Sequence, residues 1–241
     1  VGNANAKHDI VIDSTQGGSF YGLGRGMVAG NDVKVSVGDQ ITYIGTIQAG
    51  HDMDMQVQQP SSDSAGIHIG ALISDTLLTA GNEADFLVNG DGTIEMLGNV
   101  EAKKDITMDV SGKGDIGIKN TIKSQEESIS VQVDEGDIYI GVDETPEAET
   151  VKAKKNVTIG TNLGTVYILG KTFTENGDIA MKAGKKTYQE GAEYSNFIIR
   201  DDGQVLSGGG IGLYGRNGDI EITEDSQAKN SIVVSIAEQG N

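Results

Sequence analysis

Apolar and polar residues alternate along this chain in short bursts, and each burst follows a turn residue and then Asp or Asn. The pattern reads Asn31-Asp32-Val33-Lys34-Val35-Ser36-Val37 and His51-Asp52-Met53-Asp54-Met55-Gln56-Val57. It returns as Lys104-Asp105-Ile106-Thr107-Met108-Asp109-Val110, Gly114-Asp115-Ile116-Gly117-Ile118 and Gly136-Asp137-Ile138-Tyr139-Ile140. Lys155-Asn156-Val157-Thr158-Ile159, Gly177-Asp178-Ile179-Ala180-Met181 and Gly218-Asp219-Ile220-Glu221-Ile222 continue it. Two-residue alternation predicts a strand with one apolar face. Ile106, Met108, Ile116, Ile118, Ile138, Ile140, Val157, Ile159, Ile179, Met181, Ile220 and Ile222 are therefore expected inward. Thr107, Gly117, Tyr139, Thr158, Ala180 and Glu221 are expected outward. The Asp or Asn, placed where turn becomes strand, is expected to bond local backbone N–H groups.

The bursts recur at one interval. Ile94, Ile116, Ile138, Val157, Ile179, Phe197 and Ile220 follow one another at 22, 22, 19, 22, 18 and 23 residues. Phe86, Ile106 and Ile129, with Ile211 and Ile232, form an interleaved set. A period of about 20 residues holding two or three short strands belongs to a stacked coil. One coil cannot bury its own apolar face, but stacking at about 4.8 Å per rung does so. The prediction is an all-β fold, a right-handed parallel β-helix (β-solenoid) of roughly 11 rungs and about 50 Å. It forms a single domain over residues 1–241. A large β-sandwich or barrel shares the short strands, but does not require the same phrase at one-coil intervals. Residues 60–65, 143–149, 185–191 and 201–203 interrupt the pattern and are expected to loop out from one corner. Pro60 and Pro146 fall there, as proline is excluded from central strands. Residues Leu77 to Ala84 leave room for a short helix interrupted by Gly81.

Composition narrows the class. With 35 Gly, no Trp and few aromatics, the chain suits a core spread along a line. Acids outnumber bases 36 to 18, and a formal net charge of −18 opposes nucleic acid and anionic membranes. No apolar run approaches the roughly 18 residues of a membrane span, so no membrane insertion is expected. The absence of Cys is compatible with the cytosol and also suits long secreted repeat proteins, which rest on stacked strands. The opening Val1-Gly2-Asn3-Ala4-Asn5-Ala6 has no signal-peptide pattern.

Asn176-Gly177-Asp178-Ile179-Ala180-Met181-Lys182-Ala183-Gly184, Ala102-Lys103-Lys104-Asp105-Ile106-Thr107-Met108-Asp109-Val110 and Val151-Lys152-Ala153-Lys154-Lys155-Asn156-Val157-Thr158-Ile159 resemble haemagglutinin-type repeats. Such repeats occur in filamentous-haemagglutinin-like exoproteins of two-partner secretion and in autotransporter passengers. The resemblance covers most of the chain and implies a right-handed parallel β-helix, export to the surface of a Gram-negative-type bacterium, and adhesion. The chain lacks the secretion module and C-terminal barrel of those proteins, and reads as an interior segment. Repeats of this kind mark scaffold positions, so no site residues carry over.

Candidate chemistry is sparse. His51, Asp52 and Asp54 suggest a metal, but alternation puts Asp52 and Asp54 on one face and His51, Met53 and Met55 on the other. His8 and His68 have no local support for a catalytic role. Gly208 to Tyr214 resembles a calcium-binding nonapeptide, with Tyr214 at the required Asp position. Gly22-Leu23-Gly24-Arg25-Gly26 lacks the strand–helix context of a nucleotide loop. Asn156-Val157-Thr158 matches a glycosylation acceptor but lies in a strand. For a polysaccharide-active enzyme the acids would be Asp201 and Asp202 with Arg200, or Asp32, Asp52 and Asp54 across rungs. The sequence supports no catalytic, cofactor or metal residues. It reads as a secreted or bacterial cell-surface adhesin or filament segment that presents loops to a host-cell or bacterial receptor or glycan. A polysaccharide lyase or hydrolase, and a fibre subunit stacking end to end on itself, are the alternatives.

Overall fold

The computed structural model describes residues 3–71, 75–141, 149–184, 195–199, 203–216 and 219–237. They form a parallel β-solenoid, and every strand pairing between its elements is parallel. Its spine is a ten-stranded sheet: Ile10–Ser14, Val33–Val37, Met53–Val57, Ala84–Val88, Ile106–Lys113, Ile129–Glu135, Val157–Leu163, Ile179–Gly184, Ile211–Arg216 and Ile232–Ala237. We call this face 1. A second sheet of 17 strands supplies two further faces. Ser19–Ala29 and Gln40–Ala49 run through both of these, bending at Gly24 and Gly45, whose φ values are 65° and 144°. Face 2 carries the ladder Ile41, Ile67, Ile94, Ile116, Ile138, Val166, Phe197 and Ile220. Face 3 carries Ile47, Leu78, Val100, Ile122, Val151, Thr172 and Val205.

In the predicted register, Ile106, Met108, Ile116, Ile118, Ile138, Ile140, Val157, Ile159, Ile179 and Met181 are fully buried. Ile220 is partly buried and Ile222 is 38% exposed, because they belong to the last described coil and only the preceding one pairs with them. The same geometry exposes Ile232, Val234 and Ile236, which align with the inward positions Ile211, Leu213 and Gly215. Where face 3 returns to face 1, the inward column narrows to small residues: Ala29, Ala49, Ala80, Ala102 and Ser124, then Ala153, Thr174 and Ser207. Hydroxyls there cap backbone carbonyls, with Thr174 Oγ1 and Ser207 Oγ each donating to Gly177 O at 2.8 Å.

Three expectations change. Among the described residues face 1 holds ten strands, against the roughly 11 rungs expected, because coil length is not constant. Equivalent corner residues lie 20 to 23 residues apart in regular coils, but 31, 28 and 32 apart in three others. Those coils contain the interrupting stretches; residues 60–65 lie between face 1 and face 2, whereas 143–148, 185–191 and 201–202 lie outside the described residues. For the same reason the series from Ile94 to Ile220 mixes faces. Ile138 is followed on face 2 by Val166, whereas Val157 and Ile179 belong to face 1, and Phe86 pairs with Met108. No helix lies at Leu77 to Ala84; Leu77–Ala80 and Ala84–Val88 are strands, with Gly81 and Asn82 turning the corner.

Candidate functional site

Among the described residues, three side chains able to ligate a metal, Asp32, His51 and Asp52, come together at the corner before face 1. Asp32 and Asp52 precede equivalent strands one coil apart, so stacking brings them together. His51 is in the turn, ahead of the alternation that starts at Met53, and therefore does not share the face of Met53 and Met55. Both methionines are buried, whereas the His51 side chain is 60% exposed. Its Nδ1 lies 2.9 Å from Asp52 Oδ2 and 3.4 Å from Asp32 Oδ1. One ligand atom from each of the three residues falls within 4.8 Å of the others, close enough to share a cation. Most of that capacity is already engaged. Asp32 Oδ1 accepts the Asp52 N–H at 3.2 Å, and Lys34 Nζ lies 3.0 Å from Asp32 Oδ2. Asp52 Oδ1 accepts from Asn82 Nδ2 at 2.7 Å and from the Glu83 N–H at 3.3 Å. The Lys34 ammonium beside Asp32 holds that carboxyl below its ordinary range, and Asp32 raises Lys34 in turn. An ammonium already neutralising the pocket disfavours a second cation there.

Asp54 stands apart on the outward surface of face 1, in register between Lys34 and Asp85. Burial first, and then the Asp85 charge, push its pKa up; Gln56 Nε2, donating at 3.1 Å, acts against them. Asp32 and Asp52 thus meet at the corner, while Asp54 occupies the sheet. Arg200, Asp201 and Asp202 lie outside the described residues. His68 bridges rungs, with Nε2 3.1 Å from Ser64 O and Nδ1 3.5 Å from Glu95 Oε2. His8 is exposed. The segment from Gly22 to Gly26 is part of a strand, and Val157 of the glycosylation-like triplet is core. Gly208 and Gly209 are glycine because the chain passes close to the preceding coil. An added Cβ would sit 1.9 Å from Glu175 O or 2.3 Å from Asp178 Oδ1.

What residue patterns alone missed is the partner of the recurring Asp or Asn. The bond is made to the next coil, not locally. Asp105 Oδ1 accepts the Ser128 N–H at 3.0 Å, and Asn156 Oδ1 the Asp178 N–H at 2.9 Å. Asp178 Oδ1 accepts the Gly210 N–H at 2.6 Å, and on the next corner Asp115 Oδ1 accepts the Asp137 N–H at 2.8 Å. Recurrence at one position per coil was the visible signal, and only the register identifies the donor. No family model, curated protein or solved structure matches the chain.

Proposed function

We propose that this chain is a segment of an extracellular bacterial surface protein, a stiff rod that carries an adhesive surface away from the cell. The observation that carries this reading is the ten-strand ladder of face 1, which keeps its register across coils of very different length. Inter-coil side-chain bonds staple the corners, and ion pairs such as Lys119–Glu95, at 2.9 Å, link neighbouring rungs outside. Such a molecule transmits position over its length while tolerating insertions at corners, which is what display requires. The haemagglutinin-like phrasing supports the same reading, and the acidic surface favours an uncharged partner over a polyanion.

Latex beads coated with the chain test it, by retention on erythrocytes and on epithelial monolayers. Retention above albumin-coated beads, competed by soluble chain, is the expected result. No retention on either surface overturns the adhesive reading. Release of reducing ends from a polyuronate would favour an enzyme instead, and filaments in electron micrographs a self-stacking fibre.

A further inference from the structure

Face 1 carries a small, partly open cleft of about 170 Å³ on its outward side, remote from the Asp32 corner. Its floor is Gly160. In the outward column Gln132, Gly160, Lys182 and Tyr214, successive coils supply an amide, nothing, an ammonium and a phenol. Asp134 and Asn162 close one side. Asn162 Nδ2 donates to Asp134 Oδ1 at 2.9 Å, and Lys182 Nζ donates to Asn162 Oδ1 at 3.4 Å. A polar chain therefore crosses three coils with its members held by one another. At the far wall the Tyr214 ring lies down over Gly212, where an added Cβ would meet ring atoms at 2.7 to 3.0 Å.

Gly160 is not required by the fold. Unlike Gly114 and Gly136 at the corner, it has no positive φ, and a Cβ there would meet only Lys182 O, at 3.9 Å. Glycine in mid-strand weakens a sheet and often marks a bulge, a tight bend, or a site where a ligand or another backbone approaches closely. Here it removes the one side chain that would fill the cleft. We propose that the cleft binds a single neutral sugar ring, the terminal unit of a surface glycan. This deepens the adhesive reading and rests on it. The volume is below the roughly 300 Å³ at which drug-sized sites begin, so one ring fits and an extended chain does not. Asp134 accepts from ring hydroxyls, Lys182 and Asn162 donate to ring oxygens, and Tyr214 offers an apolar face to C–H groups. One carboxylate and one ammonium leave the cleft locally balanced on a chain of net charge −18, which selects against an anionic sugar.

Amide-resolved NMR titration of the full chain with methyl glycosides of galactose, glucose, mannose and N-acetylglucosamine, and with sialic acid, tests this. At least one neutral glycoside should shift the Gly160, Ala180 and Lys182 amides. Gly160→Gln should weaken that binding at least about tenfold without lowering the melting temperature, since the side chain enters open space. Tyr214→Ala should weaken it similarly. No shift with any neutral glycoside, unchanged binding by Gly160→Gln, or tighter binding of sialic acid would each overturn the proposal. Beads coated with Gly160→Gln separate the two readings. Equal retention of variant and wild-type beads sinks the cleft but keeps the adhesin, whereas sugar shifts without bead retention sink the adhesin alone.

Discussion

A carboxylate at a solenoid corner accepts a hydrogen bond from the backbone one coil later, so a single side chain ties two rungs. Asp115 does this for the Asp137 N–H. Asp115→Ala should cost about 0.5–1.5 kcal/mol in urea unfolding, the net worth of one hydrogen bond where the freed donor can turn to water, whereas Asp115→Asn keeps an acceptor and should recover most of it. Equal losses would show that charge, not the bond, matters. Ile138 is fully buried, and Ile138→Asp should cost several kcal/mol, against under about 1 kcal/mol for Thr158→Asp on the exposed surface. Tyr139 is a poorer control, since it stacks on Tyr167 at 4.7 Å and donates to Asp137. Titration has opposite signs at different sites. Asp54 and Asp109, raised by burial, take up protons more readily when folded, so their contribution to stability grows as pH falls through their folded pKa values. Asp32 and Asp39, held low by Lys34 and Ser61 respectively, contribute stability that is lost as pH falls through theirs. Asp54→Asn should therefore raise the melting temperature at neutral pH, and the advantage should shrink on acidification as Asp54 itself becomes neutral. A pH-independent difference would place the effect in packing.

At the scale of the coil, corners are where sequence is most constrained. Gly92, Gly114, Gly136 and Gly164 stack at one corner, and a Cβ on Gly136 would lie 1.7 Å from Gly114 O. Gly136 also has φ 151°, so Gly136→Ala combines a backbone clash with strain. Its loss should reach about 3 kcal/mol or more by denaturant unfolding, while Gly117→Ala, which meets open space, should be neutral or stabilising. Strand identity, facing and parallel stacking were legible because alternation is a local property and each phrase repeats it. Register between coils was not. Counting at a constant period assigned Val157 to the ladder of Ile138; the interruption at 143–149 was visible in the sequence, but how far it shifts the count between coils is not a local property. His51 was misplaced for a related reason: alternation was extended one turn residue too far. The cleft was invisible in sequence because its walls come from residues separated by one to three coils, and its floor is a glycine among 35.

For the whole molecule, stacking packs 36 acids against 18 bases into a narrow body. Raising NaCl from low to physiological concentration should raise the melting temperature by screening, and calcium at matched ionic strength should add nothing further. A calcium-specific rise abolished by Asp52→Asn would instead make the Asp32–His51–Asp52 corner a cation site. The parallel stack itself is tested most directly by cross-linking, which the absence of cysteine makes clean. Ser130 and Thr158 are register partners across the coil that contains residues 142–148, and Ala180 is the next partner beyond Thr158. Adjacent parallel strands stand about 4.8 Å apart, within disulfide reach, and alternate ones about twice that, beyond it. The double variant Ser130→Cys with Thr158→Cys should oxidise to an intramolecular disulfide in the folded chain, and Ser130→Cys with Ala180→Cys should not. Failure of the first pair, or equal oxidation of both, would contradict the in-register parallel solenoid.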